Sequence, residues 1–349
     1  MHFSILPTFT ALAVAVSLVV SAPIPDSIVV KVKNLTPEDT VFDRSRNVFY
    51  QSNLWKGQIS VWGTDNSHFN LLVPGVSSSG YGDQQMAGLS IDKRTNANRL
   101  YAVAKDAGAF RFDSTQSKNG ACSFHAFNLP VSASSKPAWS VYFDKVQRQF
   151  EAKFGTRPFG PVDSAQDSAG NSYVVFALGI PAIAKISPDG KTVEAWYAET
   201  SNGSQRPGFT GVQYVPSSNK IVAYGGPRPL TSFDLNSPVA TATPVKLNGD
   251  FGSLSGTEKL TMVPHNGRPV LVGTKAPLVY AFTSQDNWLT ASFKTATRSE
   301  FNSNDLTVVT EANLNGAQQI YGGGAYFANG ARGGRTDYPL YRIPISLLE

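Results

Sequence analysis

One register runs the length of this sequence. Six polar turns recur: Asp43-Arg-Ser-Arg-Asn47, Asp92-Lys-Arg-Thr-Asn-Ala-Asn98, Asp167-Ser-Ala-Gly-Asn171, Pro216-Ser-Ser-Asn219, Pro264-His-Asn-Gly267 and Asn313-Leu-Asn-Gly316. Each precedes an apolar or aromatic run such as Val48-Phe-Tyr50 or Ile221-Val-Ala-Tyr224. Their first residues are 49, 75, 49, 48 and 49 positions apart, so a single insertion of about 26 residues interrupts the period. A second anchor keeps the same register. Pro181, Pro229, Pro277 and Pro339 open a later strand in four of the units, where proline costs no ladder hydrogen bond. A unit of this length with three or four strands cannot bury both its faces alone. Units must therefore stack round an axis as propeller blades. The expectation is an all-β, six-bladed β-propeller. No Trp-Asp signature is present, and paired glycines of the kelch kind do not recur in register.

Strand counting predicts how the ring ends. The last unit supplies three strands, near 305–311, 317–323 and 339–345, and lacks a fourth. The alternating segment at 28–33, Ile28-Val-Val-Lys-Val-Lys33, has no blade of its own. It is expected to fill the vacant position and remove an exposed edge. Residues 1–22 read as a signal peptide, because Leu12 to Val20 is apolar but too short to span a bilayer and Val20-Ser-Ala22 fits a cleavage site. Residues 23–349 are then a single propeller domain. No later stretch is a transmembrane helix, so the expected location is secreted, at the cell wall or cell surface.

The one cysteine, Cys122, cannot form an intrachain disulfide, so the fold must rest on its core. Cys122 lies in an alternating run and reads as a strand residue. Sequons occur at Asn34 and Asn202. The net charge of +5 suits an anionic partner such as an acidic lipid head group or a glycan, and falls short of a nucleic-acid footprint.

With strands lettered A to D from the axis outwards, the polar turns are all A–B connections. Two long insertions fall on the opposite face. Ser132 to Thr156 reads as a D–A connection whose apolar residues at 146, 150 and 154 have helical spacing. Gly322 to Asp337 reads as a Gly-rich B–C loop. Loops on one face of a rigid scaffold are where function usually sits. The B–C loops also carry Lys56, Lys105, Arg228, Lys275 and Arg335 at similar places in five blades, and only Gly179-Ile-Pro181 lacks a cation. Such a ring would attract an anion to the axis, although solvated loop charge would look the same.

Catalytic constellations are sparse. No His-x-x-His or Cys-x-x-Cys spacing exists, and the histidines stand too far apart for a Ser-His-Asp triad. The segment Glu38-Asp39-Thr40-Val41-Phe42-Asp43 is similar to the first blade of gluconolactonase-type propellers, in which the residue matching Glu38 binds a divalent cation. By register the axial positions of blades 3 to 5 fall near Phe159, Thr210 and Ser255, so no metal is expected. Glu38, Asp39, Arg157, Arg206, Glu258 and Lys259 are expected near the axis. They either form an acid–base pair or satisfy one another. No catalytic residue and no cofactor is assigned.

Several motifs carry a resemblance. Val30-Lys-Val-Lys-Asn-Leu-Thr-Pro-Glu-Asp-Thr40, Val48-Phe-Tyr-Gln-Ser-Asn-Leu-Trp-Lys-Gly57, Arg157-Pro-Phe-Gly160, Gly225-Gly-Pro-Arg-Pro229, Asn248-Gly-Asp-Phe-Gly-Ser-Leu-Ser-Gly-Thr-Glu258 and Gly333-Gly-Arg-Thr-Asp-Tyr-Pro-Leu-Tyr-Arg342 resemble the major secreted propeller allergens of Malassezia yeasts, across the mature chain. A propeller protein of fungal trichothecene clusters resembles the same family. The resemblance implies a six-bladed propeller, a secreted or cell-wall location, recognition by host IgE and affinity for phosphoinositides. The leading expectation is therefore an allergen that binds an anionic head group through Lys56, Lys105, Arg228, Lys275 and Arg335, with Glu38 and Arg157 nearby. The alternative is a metal-independent enzyme, cyclase or lactonase-like, acting on a small molecule at the axis, with Glu38 and Glu258 the first residues to test.

Overall fold

The computed structural model describes residues 24–76, 84–92, 94, 98–106, 121–200, 206–301, 306–314, 316–330 and 332–349. The segment expected to be a signal peptide, 1–22, and the Asn202 sequon lie outside them. The described residues form six sheets, antiparallel but for one added outer strand, arranged as a six-bladed β-propeller. Their innermost strands are Pro37–Asp43, Gln84–Ile91, Phe159–Gln166, Phe209–Val215, Thr257–His265 and Leu306–Leu314. Each packs against the next, and the first packs against the last.

Alternation along the strands explains the stacking. Successive side chains point to opposite faces of a blade, so Phe49 packs with blade 6 while its neighbour Tyr50 packs with blade 2. The core is accordingly divided into six apolar clusters, each shared by two adjacent blades. Burial at roughly 25 cal/mol per Å² of apolar surface makes these seams the main source of stability. The A–B turns of blades 1 to 3 are held by their leading aspartates. Asp43 Oδ1 accepts from the Ser45 amide at 2.9 Å, and Asp167 Oδ1 from the Asn171 amide at 2.9 Å. These side-chain turns are the reason Asp recurs there.

The strand Ser27–Lys31 pairs antiparallel with Asp337–Ile343 and is the outermost strand of the sixth sheet. The insertion after the second blade differs from its sequence reading. Its first part is a C–D connection, followed by the fourth strand of blade 2, Trp139–Tyr142. Only the helix α1, Asp144–Phe154, and the residues after it form the D–A connection. Val146 and Phe150 of α1 are buried against Phe143 and Phe176. Cys122 is buried but stands just before the strand Ser123–Asn128 rather than within it. Blade 5 carries a fifth strand that the repeat did not foretell. Lys246–Asn248 runs parallel to Thr290–Thr297 along its outer edge.

Candidate functional site

Every innermost strand breaks register once, near its start. The slips fall between Pro37 and Thr40, Met86 and Leu89, Pro161 and Asp163, Phe209 and Gly211, Thr257 and Leu260, and Leu306 and Val308. A bulge bends the strand and re-aims the side chains at the extra residue. Here it turns consecutive residues of several blades toward the axis, and what stands at those positions decides what the axis can do.

One layer is a knot of three charges. Lys259 of blade 5 donates to Asp39 Oδ2 of blade 1 at 2.6 Å and to Asp163 Oδ1 of blade 3 at 2.7 Å. Its third contact is the Leu89 carbonyl of blade 2, at 3.2 Å. Asp39 in turn accepts from the Leu89 amide at 2.6 Å, and Asp163 from the Val212 amide of blade 4 at 2.9 Å. Five blades are thereby tied to one ammonium. Burial works against the Lys259 charge, but the two carboxylates outweigh it and hold its pKa above the usual lysine range. Burial pushes the Asp163 carboxyl up to about 6, partly offset by Lys259, and raises Asp39 as well. Blades 2 and 4 contribute Gly88 and Gly211 at this level. A Cβ on Gly88 would meet the Val162 carbonyl, and one on Gly211 would lie 2.6 Å from the Leu260 amide nitrogen. The axis is full here.

The next layer toward the B–C and D–A loops is different. Glu38, one residue before Asp39, accepts from the Lys105 ammonium at 2.7 Å. Lys105 is fully buried, and burial lowers its pKa against the pull of Glu38. Glu258, one residue before Lys259, comes to the same place from blade 5. Burial and the Glu38 charge push its carboxyl up to about 8, with Lys105 opposing. At neutral pH this carboxyl holds its proton.

The structure therefore redraws the expected basic ring. Lys105 is not a loop cation but the buried partner of Glu38. Arg228 and Arg206 both face Glu199, at 3.7 and 3.9 Å. Arg157 donates to Gln147 Oε1 at 3.0 Å and lies 3.7 Å from Asp144. The remaining three cations sit on consecutive blades. Lys275 of blade 5 donates to the Phe251 carbonyl at 2.9 Å and lies 4.4 Å from the Phe251 ring. Arg335 of blade 6 stacks 3.5 Å from the ring of Tyr326. Lys56 of blade 1 follows Trp55, and burial alone lowers its pKa. Among the described residues none of the three has a carboxylate within salt-bridge distance. What remains is an arc over blades 5, 6 and 1.

The axial positions expected at Phe159, Thr210 and Ser255 are also corrected. The knot is made by Asp163 and Lys259, with Gly211 between them. Asp163 went unrecognised although its signal is present, because Asp39-Thr-Val-Phe-Asp43 and Asp163-Ser-Ala-Gln-Asp167 share one spacing. No group of three or more metal-ligating side chains occurs among the described residues. No helix among them is long and apolar enough to cross a membrane.

Six stacked blades around a filled axis define a six-bladed β-propeller. The chain belongs to the family described as Mal s 1 allergenic protein-like, whose sequence profile matches residues 17–306. It is 53% identical to the major allergen Mal f 1 of Malassezia furfur over 350 aligned positions, spanning both chains in full. The crystal structure of the major Malassezia sympodialis allergen Mala s 1 superposes with a TM-score of 0.90 at 55% identity, over 94% of this chain and 98% of that one. A luciferin-regenerating enzyme shares the fold alone, with a TM-score of 0.55 at 12% identity over 92% of this chain and 96% of that one.

Proposed function

We propose that the protein is a secreted, cell-surface binding protein that takes an anionic, ring-bearing ligand, a phosphoinositide head group or an acidic glycan, on the loop face of blades 5, 6 and 1. The supporting observation is the arc of Lys275, Arg335 and Lys56, which among the described residues has no carboxylate within salt-bridge distance and lies beside Phe251, Tyr326 and Trp55. Cations give such a face its attraction for phosphate or carboxylate, and the Phe251 and Tyr326 rings hold the Lys275 and Arg335 heads in place. As a member of an allergen family, the protein is also proposed to be bound by host IgE.

Reversing the arc to Lys56→Glu, Lys275→Glu and Arg335→Glu tests the reading against an inositol polyphosphate. Each cation near an anionic surface contributes about 1 kcal/mol, so the triple variant should bind at least about 100-fold more weakly. Wild-type affinity should also fall steeply with added salt. A triple variant that binds as the wild type does would remove this function.

A further inference from the structure

The basic arc makes no use of the axial mouth, and the mouth is unfinished. Glu38 Oε2 is buried and accepts nothing, and both amide atoms of Gln85 are buried without a partner. Gln85 is 1% exposed. Buried polar groups in native proteins are nearly always paired, because leaving one unpaired forfeits the hydrogen bonds it had with water. Lys105 links these groups. Gln85 lies directly opposite Lys105 across the first two strands of blade 2, so both project from the same face. Lys105 reaches Glu38, and Glu258 enters from blade 5. The charged knot of Asp39, Lys259 and Asp163 forms the layer beneath.

We propose that this axial cup is a second binding site, for a small uncharged polyol of sugar or cyclitol size. Glu38 Oε2 accepts from one hydroxyl, Gln85 donates to and accepts from others, and Glu258 donates as a carboxylic acid. A hydroxyl group both donates and accepts, which is the mixture these atoms require. The charge account points the same way. Glu38 and Lys105 cancel, and Glu258 is neutral while it holds its proton, so a charged ligand would find no counter-charge. The groups facing Glu258 are Glu38, Lys105 and the Tyr224 hydroxyl. Burial holds the Tyr224 hydroxyl well above its ordinary range, Glu38 and Lys105 are paired with each other, and the Glu258 proton sets the pH dependence of binding.

The test is calorimetric titration of the whole chain with D-glucose, D-mannitol and myo-inositol, up to roughly 100 mM, where even a millimolar site saturates. At least one polyol should bind near pH 6. With the Glu258 carboxyl at about 8, raising the pH to about 9.5 should weaken binding about 30-fold, because only the protonated fraction is competent. Glu258→Gln keeps a donor, so it should bind and lose the pH dependence. Gln85→Met should bind at least about 10-fold more weakly while keeping wild-type affinity for an inositol polyphosphate at the arc, which separates this site from that one. Absence of heat with all three polyols overturns the proposal. So does pH-independent binding by the wild type, or a folded Gln85→Met protein that binds polyol normally.

Discussion

Two layers of the axis are built from adjacent residues and behave in opposite ways. Asp39 and Lys259 form a closed knot, while Glu38 and Glu258, each one position earlier, face a mouth with unspent hydrogen-bonding capacity. The same bulges supply both pairs. The difference lies in what completes each layer. In the knot one ammonium stands between two carboxylates and the backbone of blades 2 and 4 satisfies the rest. At the mouth one ammonium, Lys105, serves two carboxyls, and the second keeps its proton instead. A propeller can thus place its strongest cross-blade tie and its most adaptable polar surface a single residue apart.

The largest test of this contrast is Lys259→Met. It leaves Asp39 and Asp163 buried without a counter-charge, and removing one partner of a buried pair costs about 3–5 kcal/mol. The urea midpoint should drop accordingly, and an unchanged midpoint would mean the knot is ornamental. Lys105→Met should cost less, about 2–3 kcal/mol, because Glu38 is nearer the mouth and can take a proton. If it proved the costlier of the two, the layers would have to be exchanged in importance. Gly88→Ala should cost about 1–3 kcal/mol by overpacking the Val162 carbonyl, read as a fall in Tm.

A pH series sharpens the comparison further. The folded pKa of Glu258, about 8, lies above its ordinary value of 4.5. Its contribution to stability is therefore whole below about pH 4.5 and is lost as pH rises to about 8. Glu258→Gln should flatten the decline over that window, and a variant with the wild-type slope would reassign the titration. The smallest effect belongs to the surface. Asp26→Asn breaks an ion pair with Arg298 at 2.8 Å, but Asp26 is exposed and solvent screens it. Its Tm should match the wild type within error.

The blades were legible because turn chemistry is local. An Asp that binds an amide two to four residues on, and a Pro that opens a strand, leave their mark wherever the unit repeats. The helix α1 was legible for the same reason, from Val146, Phe150 and Phe154. The axis was harder. Glu38, Asp39, Glu258 and Lys259 were placed there, but Asp163 was not, although it stands four residues before its turn just as Asp39 does. Lys105 was misread because sequence carries a charge without a direction. Its place in the chain suits a loop, and only the stacking of blades shows that its ammonium turns inward to Glu38. Arg228 failed as a free cation for a related reason, since Glu199 belongs to a different blade.

The fifth strand of blade 5 has a consequence for how copies of the protein meet. The outer strands of the six sheets span 5, 4, 6, 3, 8 and 5 residues. Short or proline-bearing edges such as Ala242–Pro244 offer little to a neighbouring chain. The eight residues of Thr290–Thr297 would offer a full row of unpaired backbone groups, the usual template for strand-to-strand aggregation. The linker entering that same blade lays Lys246–Asn248 along this row. The rim thus covers the first part of its most adhesive border, Thr290 to Ser292, with its own connecting chain, which shortens the stretch open to another copy.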